Sequence, residues 1–342
     1  MFEAEAGAEK ISIRKELKSC YLLMKTQKIS GCEIKVPPPT GSIYETPHNL
    51  PKFGLTLAVG KKGSGKSLSI TQLFRMYKEQ DKKNPYRIII CSATFASNWN
   101  LMEELGVDED DVLDPDDPDT PYKMEQIVIS ERDDLLRYYS ELKLFKELEK
   151  MLKKTNTDID DDSLLLNFYD PVTQKFRPPE HKWGGKKVAI LCLIDDAQNS
   201  LLFGSRKFLN MMIKNRHIAP IPVDIQKDPL TSHLGSAMGL WPYICIQNYS
   251  AKQNGCPKSI RNNISQMILF KTASIHERKL ISEEVAGCVD VELFEKIYNV
   301  ATEAQHDFLY IDLDSKKHFP SRFRWNWNKF LIADEIMLKE IV

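Results

Sequence analysis

In the stretch GKKGSGKS, the residues Gly60, Gly65, Lys66 and Ser67 have the spacing G-x-x-x-x-G-K-[ST], and Gly63 adds a third glycine. Glycine lets the backbone turn tightly and direct its N–H groups inward, because no Cβ blocks the required dihedral angles. At this spacing the Lys66 ammonium can contact the β- and γ-phosphates of a nucleoside triphosphate, and the Ser67 hydroxyl can ligate Mg²⁺. The pattern also arises by chance in surface loops, but here an apolar run, Leu55–Val59, precedes it and a helix-compatible run follows. The predicted nucleotide-binding residues are Gly60, Lys61, Lys62, Gly63, Ser64, Gly65, Lys66, Ser67 and Leu68.

Two consecutive carboxylates, Asp195 and Asp196, follow a second apolar run in the stretch KVAILCLIDDAQ. Aspartate is common where a strand ends in a turn, so the pair alone is a weak signal. Downstream of a phosphate loop, a buried strand that ends in two carboxylates favours nucleotide hydrolysis. In that interpretation Asp195 holds Mg²⁺ through water, and Asp196 polarises the water that attacks the γ-phosphoryl group.

Other polar side chains also follow short apolar runs. Gln247 ends the run YICIQ, and an amide at a strand tip can contact both the γ-phosphate and the attacking water. Asn248 is the second candidate for that role, and a plain turn hydrogen bond is the alternative. The polar residues Ser92–Phe95 fit a turn and a ligand-contacting loop equally well. Arg261, just before another predicted strand, fits either a contact with a neighbouring subunit's nucleotide or a surface salt bridge.

The apolar runs that must position these residues are separated by helical patterns, which predicts a doubly wound, mostly parallel α/β sheet. An extra strand that separates the phosphate-loop strand from the Asp-Asp strand, together with a polar-tipped strand after it, is typical of the RecA-like, additional-strand division of P-loop ATPases. Kinases and GTPases lack that combination. The chain has no N-K-x-D guanine signature, which favours ATP over GTP. The predicted strands are Leu55–Val59, Arg87–Cys91, the run before Asp195, Tyr243–Gln247, Ser265–Phe270 and Phe308–Asp314.

The chain divides into an N-terminal arm, residues 1–50, and an ATPase domain, residues 51–342. Residues 96–186 are predicted to be an insertion that decorates the core. It contains one long amphipathic helix, Ser130–Lys154, with apolar residues three and four positions apart. The apolar face of that helix can pack on the core or on a neighbouring subunit, and the core is favoured.

Two later segments lack a clear pattern. Residues 219–239 form a long Pro/Gly/Ser/Asp-rich connection, and loops of this length are usually functional or disordered. The tail, residues 315–342, mixes basic and aromatic side chains. Such a mixture can bind single-stranded nucleic acid, but an arm that packs on a partner is the favoured interpretation.

The composition is that of an ordinary globular protein, with 342 residues, 42% hydrophobic, 28% charged and a net charge of −1. This charge argues against a polycationic nucleic-acid coat, but it allows DNA contact through a few loops. Cys91, Cys192 and Cys245 lie in apolar runs, and the seven cysteines include no C-x-x-C pair, which predicts a reducing, intracellular setting. The start of the chain is unlike a signal peptide, and no apolar run approaches the roughly 20 residues of a spanning helix, so neither secretion nor membrane insertion is expected.

Several segments taken together resemble the FtsK/HerA-type genome-packaging ATPases of double-stranded DNA viruses and virophages. The resemblance covers about residues 50–330. The two nucleotide motifs are common to many ATPases, and the later segments are more specific to this family. The matching segments are GKKGSGKS, ILCLIDDAQ, a helix followed by Asn215-Arg216-His217, YICIQN, Pro257–Asn263 and the late ATEAQHDFLYID.

The resemblance implies ATP-driven movement of duplex DNA into a preformed viral capsid by a ring homo-oligomer, a pentamer or hexamer. It also implies a location in the virion or in the cytoplasmic virus factory of an infected cell. In this family an arginine acts on the neighbouring subunit's nucleotide, and Arg261 and Arg216 are the candidates here. The other roles carried over are phosphate and Mg²⁺ binding by Lys66 and Ser67, Mg²⁺ binding by Asp195, water activation by Asp196 and γ-phosphate sensing by Gln247.

The sequence departs from the family pattern in two respects. Many relatives have glutamate at the water-activating position, whereas here the residue is Asp196, one methylene shorter. Either the local backbone compensates for the shorter side chain or another carboxylate assists. Residues 96–186 and 219–239 match the family poorly, so no role transfers to them.

Two other functions fit the same motifs. One is a cellular or plasmid DNA translocase or helicase of the same ATPase division. The other is a nucleotide-regulated scaffold that binds ATP with negligible turnover, which the aspartate at position 196 keeps open. A small-molecule kinase is disfavoured because no lid-like arginine cluster follows the phosphate loop.

Overall fold

The computed structural model describes residues 50–81, 84–94, 103–154, 168–173, 175–250, 255–272, 274–285, 291–314 and 321–331. The predicted N-terminal arm, residues 1–50, lies outside the described residues except for Leu50, which is buried against the aromatic side of the core.

A nine-stranded mixed sheet forms the centre of the described chain. Six neighbouring strands are parallel, and three antiparallel strands extend the sheet at one edge. In sheet order the strands are β13 (Lys329–Phe330), β12 (Phe323–Trp325), β11 (Phe308–Asp312), β10 (Gln266–Phe270), β1 (Thr56–Val59), β9 (Leu240–Ile246), β6 (Ala189–Ile194), β2 (Tyr86–Cys91) and β3 (Val112–Leu113). Two small antiparallel pairs lie outside this sheet, β4 (Tyr169–Asp170) with β5 (Lys175–Phe176) and β7 (Ala219–Pro220) with β8 (Ala237–Met238).

The order of the parallel strands defines the fold. β9 lies between β1 and β6, pairing with β1 through Val59 and Ile246 and with β6 through Ile194 and Ile244. The predicted extra strand is therefore present, and the protein has the RecA-like α/β fold of the additional-strand ATPases. Since parallel strands end at the same edge of a sheet, the residues after β1, β9, β6 and β2 meet there.

Helices cover both faces of the sheet, as a doubly wound fold requires. They are α1 (Lys66–Gln80), α2 (Thr120–Lys154), α3 (Leu201–Gly204), α4 (Arg206–Ile213), α5 (Val223–Lys227), α6 (Lys258–Arg261), α7 (Ile275–Val285) and α8 (Val291–Ala301), with 3₁₀ turns at Glu109–Asp111 and Ser232–Leu234.

Alternation along the strands assigns each residue to one face. Ala58 packs on the side of α1, where Ile70, Phe74 and Tyr77 fill an aromatic layer. Leu57 packs on the opposite side of the sheet, as do Leu55 and Val59, against residues of α2, α4, α7 and α8. α1 has its buried residues three and four positions apart, so the apolar stripe of one helix covers the phosphate-loop strand.

The long helix of the insertion is confirmed, although it begins ten residues earlier than predicted, at Thr120. Pro121 fits the first turn of a helix, where its missing N–H has no intrahelical partner to lose. A buried charge network ties this helix to the sheet. The Arg87 guanidinium donates to the Asp111 carboxylate at 2.6 Å and to the Glu131 carboxylate at 2.8 Å. The N-terminal half of α2, which contains Glu131, thus packs on the core of its own chain.

The two segments without a clear pattern are more ordered than the sequence indicated. Residues 219–239 contain the β7–β8 pair, α5 and a 3₁₀ turn instead of an irregular loop. The described part of the tail, residues 321–331, adds β12 and β13 to the sheet, and Phe323 is buried in the core. These strands are two and three residues long, too short for a periodic signal.

Cys91, Cys192, Cys245 and Cys256 are free thiols and are buried. Burial raises the pKa of the Cys192 and Cys256 thiols to about 12, so they stay protonated. None of the helices in the described part of the chain is both long enough and apolar enough to cross a bilayer.

Candidate nucleotide site

The phosphate loop leaves the centre of the sheet and enters α1. The Gly60 N–H donates to the Ile246 carbonyl at 3.1 Å, which anchors the loop to the end of β9. A Cβ on Gly60 would lie 2.7 Å from both the Phe270 Cβ and the Ser64 Oγ, so only glycine fits. Gly65, the residue before α1, has φ 98°, a conformation that side chains with a Cβ rarely adopt. Both glycines are therefore required by the local geometry.

The Lys66 side chain lies over this loop. Its ammonium donates to the Gly60 carbonyl at 2.7 Å and to the Lys61 carbonyl at 3.2 Å, and the residue is 7% exposed. The ammonium thus occupies the concave side of the loop, where phosphate oxygens can replace the carbonyls as acceptors. Lys61 and Lys62 are exposed, and Leu68 is 53% exposed.

Ser67 and Asp195 are in direct contact, since the Ser67 hydroxyl donates to the Asp195 carboxylate. Asp195 is 5% exposed, and burial raises its pKa. The nearby Asp196 charge adds to this rise, while the Ser67 hydrogen bond and the Lys66 charge oppose it. The strand end therefore presents a carboxylate whose charge is poorly solvated and which a cation would stabilise.

This pair of oxygen donors fits Mg²⁺. The ion is usually bound by one or two carboxylate or hydroxyl oxygens, with waters and substrate phosphates as the other ligands. In the described ranges no group of three or more His, Cys, Asp or Glu residues gathers around one point. Ser67 and Asp195 would hold the ion together with water and phosphate oxygens.

Asp196 lies at the meeting point of three strand ends. Its Oδ1 accepts from the Gln247 amide at 3.5 Å, and its Oδ2 accepts from the Thr94 hydroxyl at 3.5 Å. The side chain is exposed, and its backbone has φ 52°. The structure thus brings together the two side chains that the sequence analysis assigned to the attacking water, and it adds Thr94 from the polar Ser92–Phe95 stretch.

Gln198 also contacts this region, and the sequence analysis assigned it no role. Its Oε1 accepts from the Gln247 backbone N–H at 2.8 Å, and its Nε2 donates to the Asn248 carbonyl at 2.8 Å. Nothing in the sequence pattern signals these bonds, because they join two strand ends that are adjacent only in the folded sheet.

His306 lies on the β10 side of the phosphate loop, the side opposite Asp195 and Gln247. Its Nδ1 is 3.2 Å from the Ser64 carbonyl oxygen, and a Cβ on Gly65 would lie 3.1 Å from the same Nδ1. A cavity of about 390 Å³ opens between the loop and this turn. The only signal in the sequence was the resemblance of the late ATEAQHDFLYID segment to the family, which carried no role for the histidine. The cavity is lined by Lys61, Gly63, Ser64, Phe270, Lys271 and residues 303–307.

The two candidate arginines lie outside this group. The Arg216 Nε donates to the Phe53 carbonyl at 3.1 Å, at the amino end of β1 and so at the sheet edge opposite the phosphate loop. Arg216 is 48% exposed, and a carboxylate oxygen of Asp314 lies 3.9 Å from its Nη2. Arg261 donates twice to the Glu284 carboxylate, at 2.6 and 2.8 Å, and its side chain is 13% exposed. Neither arginine reaches the phosphate loop of its own chain.

No protein-family model matches this chain, and no curated protein matches it. Among solved structures, the chain is similar to the genome-packaging NTPase B204 from Sulfolobus turreted icosahedral virus 2 in complex with AMP, at 15% identity over 78% of this chain and 98% of that one, with a TM-score of 0.35. It is also similar to B204, the DNA-packaging ATPase from Sulfolobus turreted icosahedral virus, at 16% identity over 77% and 94% of the two chains, with a TM-score of 0.37. The monomer form of the pCW3 conjugation coupling protein TcpA with ATPgS matches at 15% identity over 84% of this chain and 65% of that one, with a TM-score of 0.39.

Proposed function

We propose that this protein is an ATPase that moves double-stranded DNA and packages a viral genome into a preformed capsid. One observation carries the ATPase part. The phosphate loop, the Ser67–Asp195 pair and the Asp196–Gln247 pair come from separate parts of the chain and meet at one sheet edge. This group supplies an anion cradle, a cation site and groups that can orient water, which are the parts that phosphoryl transfer to water requires.

The site also indicates how the nucleotide lies. Asp195, Asp196 and Gln247 are on the β6 and β9 side of the phosphate loop, so the γ-phosphate would point that way. The cavity beside His306 is on the opposite, β10 side, and it would take the nucleoside end. Its volume of about 390 Å³ lies within the usual range of small-molecule sites, about 300 to 1,000 Å³.

The side chains then divide the reaction between them. Lys66 would bind the β- and γ-phosphate oxygens and stabilise the charge that develops on the leaving ADP. Gln247 would hold the attacking water by its amide, and Asp196 would accept the proton of that water as its oxygen bonds to phosphorus. Bound Mg²⁺ would neutralise charge on the phosphate oxygens.

Among the described residues, no arginine forms a hydrogen bond or ion pair with Lys66, Asp195 or Asp196, so we place the missing cation on a neighbouring subunit in a ring. Arg216 is the better candidate of the two. Its guanidinium is half-exposed with one hydrogen bond and a distant carboxylate, whereas the Arg261 guanidinium already holds the Glu284 carboxylate with two hydrogen bonds. A pentamer or hexamer would give every nucleotide such a neighbour.

Three parts of this proposal rest on the sequence resemblance: that the protein moves DNA, that its partner is the capsid, and that it is located in the virion or the virus factory. The segments around Arg216, Gln247 and residues 257–263 carry it. The net charge of −1 means that DNA contact must come from a few loops gathered by the ring.

ATP hydrolysis measured with and without linear duplex DNA tests this proposal. We expect DNA to raise the turnover rate of the wild-type protein, and we expect Lys66→Ala to abolish turnover while the protein stays folded. Lys146→Ala is the control, because it removes an exposed lysine of α2 that lies outside the nucleotide site, and we expect it to leave turnover unchanged. Hydrolysis that is indifferent to DNA and proceeds in a strict monomer would contradict the proposal.

Two further measurements separate the alternatives. A scaffold that only binds ATP would show no hydrolysis in a single-turnover experiment with protein in excess. A cellular translocase would move DNA but would not bind empty capsids, whereas a packaging motor would do both.

A further inference from the structure

A single side chain joins the ends of the two strands that carry the proposed water-orienting residues. Gln198 lies in the turn after β6, and its amide forms hydrogen bonds with the backbone just past the end of β9. Its Oε1 accepts from the N–H groups of Gln247 and Asn248, at 2.8 and 3.4 Å, and its Nε2 donates to the Asn248 carbonyl at 2.8 Å. One amide thus makes the bonds that a neighbouring strand would make.

These bonds begin where the sheet ladder stops. β6 and β9 pair as far as Ile194 and Ile244, and the chain then leaves the sheet at Asp196, where φ is 52°. Beyond the last β6–β9 pair, the Gln198 side chain accepts from the Gln247 N–H and so ties it to the β6 turn. The Gln247 side chain is aimed at Asp196 from this anchored backbone, with 3.5 Å between amide and carboxylate.

We propose that Gln198 is a positioning residue that fixes Gln247 relative to Asp196 and so orients the attacking water. This inference rests on the proposed function. Gln198 contacts neither the phosphate loop nor the Ser67–Asp195 pair through any of these bonds, so its loss disturbs the chemical step and leaves nucleotide binding in place. Because Gln198 is only half-buried, water can replace its hydrogen bonds, and the fold survives its removal.

Steady-state kinetics of Gln198→Ala test the inference. We expect kcat to fall about 10- to 100-fold, since a misplacement of about 1 Å can cost that much. The KM for ATP stays within about threefold of wild type and the melting temperature within about 2 °C, a split that a purely structural residue would not produce. The matched control is Gln226→Ala, which removes another glutamine that donates to a backbone carbonyl, 2.7 Å from Ile221 O, outside the site; its kcat is unchanged.

A double-mutant cycle identifies the partner through which Gln198 acts. If Gln198 works through Gln247, the double variant Gln198→Ala/Gln247→Ala is no slower than Gln247→Ala alone. Fully additive losses, or a wild-type kcat in Gln198→Ala, would overturn the inference. Should Gln198→Ala fail to fold, Gln198→Glu carries the test, because it keeps the length and the acceptor, loses the donor to the Asn248 carbonyl and is expected to lower kcat.

The role of Gln198 and the proposed function can be contradicted separately. If the wild-type protein hydrolyses ATP, Lys66→Ala abolishes hydrolysis and Gln198→Ala is fully active, only the role of Gln198 falls. If the wild-type protein shows no hydrolysis under any condition, the proposed function falls and the role of Gln198 falls with it.

Discussion

Asp196 occupies a backbone conformation that explains the short acid at the proposed water-activating position. Its φ of 52° lies in the left-handed region, which aspartate and asparagine enter far more readily than other residues with a Cβ. A glutamate there would be strained by about 1 to 3 kcal/mol. The backbone geometry thus accompanies the departure from the family pattern, and the Asp196 carboxylate accepts hydrogen bonds from Thr94 and Gln247.

The first prediction concerns this residue. Asp196→Asn keeps the left-handed conformation and the side-chain size but cannot accept the proton of the attacking water. We expect the single-turnover rate to fall about 10²- to 10⁴-fold with an unchanged melting temperature, measured by rapid quench and thermal denaturation. Asp196→Glu is the contrasting variant, with a lowered melting temperature. Turnover of Asp196→Asn at the wild-type rate would remove Asp196 from the mechanism.

A second residue-scale prediction concerns Asp312, a buried carboxylate on β11 with one oxygen that lacks a hydrogen-bond partner in the described chain. Burial raises its pKa to about 6, while Arg324 opposes the rise. Between about pH 4 and 6 the folded protein therefore binds more protons at this site than the unfolded chain, and the free energy of unfolding decreases as the pH rises through that window. Asp312→Asn removes the buried charge and is expected to raise the free energy of unfolding by about 1 kcal/mol at pH 7, after allowance for solvent screening.

The check is a set of urea unfolding curves at several pH values. The difference between Asp312→Asn and wild type shrinks towards zero as the pH falls to about 4, because the wild-type carboxyl is then protonated in both states. A difference that is constant from pH 4 to 8 would mean that the charge of Asp312 is not the cause.

Among the elements, α2 depends most on a few buried polar contacts. Glu131, 5% exposed, accepts from the Arg87 guanidinium at 2.8 Å and from the Trp183 indole at 2.7 Å. Arg87 also donates to the Asp111 carboxylate. One guanidinium and one carboxylate therefore join β2 to three stretches of the insertion, at residues 111, 131 and 183. This network explains why the N-terminal half of α2 packs on the core.

The corresponding prediction is a loss of stability. Glu131→Ala leaves the Trp183 N–H and part of the Arg87 guanidinium without an acceptor, and we expect it to lower the free energy of unfolding by about 2 to 3 kcal/mol. Asp134→Ala, three residues along the same helix, removes an exposed ion pair with Arg137 and should change it by less than about 0.5 kcal/mol. Equal effects of the two variants, measured by urea denaturation, would show that the buried network is not the stabilising feature.

The elements also show how far sequence reasoning extends. The central strands and α1 follow from apolar runs and helical spacing, because burial on both faces of a parallel sheet demands such runs. β12 and β13 do not, since short strands with arginine, lysine and tryptophan have no periodic pattern. Lys66, Ser67, Asp195, Asp196 and Gln247 were assigned roles from local motifs, and the structure brings them to one edge. No role could be assigned to Gln198 and His306 from the sequence, because their hydrogen-bond partners are distant in the sequence.

At the scale of the whole molecule, the main question is which arginine completes a neighbour's site. We expect Arg216→Ala to fold normally and to lose turnover about 10³-fold, in the range of other arginines that act on a neighbour's nucleotide. Mixing it with Lys66→Ala should restore part of the activity, because the first variant supplies an intact nucleotide site and the second supplies the arginine. The measurement is ATP turnover as a function of the mixing ratio.

Arg261→Ala serves as the comparison. Its loss removes both hydrogen bonds from the Arg261 guanidinium to the Glu284 carboxylate, so we expect a drop of about 2 kcal/mol in the free energy of unfolding and no restoration on mixing. Restoration by Arg261→Ala, but not by Arg216→Ala, would reverse the assignment.

The reaction rates of the buried thiols report on the opening of the central sheet of this molecule. Cys245 lies on β9, two residues before Gln247, and Cys192 lies on the neighbouring β6. Because only an exposed thiolate attacks a disulfide reagent, each of these sulfurs can be labelled only while the central sheet is open. The labelling rate of Cys245 can be followed by mass spectrometry with and without ATP, and it would report the free energy of opening at β9, the strand that carries Gln247. No engineered probe is needed. The labelling rates of Cys91 and Cys192 would show whether the nucleotide stabilises β9 alone or the whole sheet.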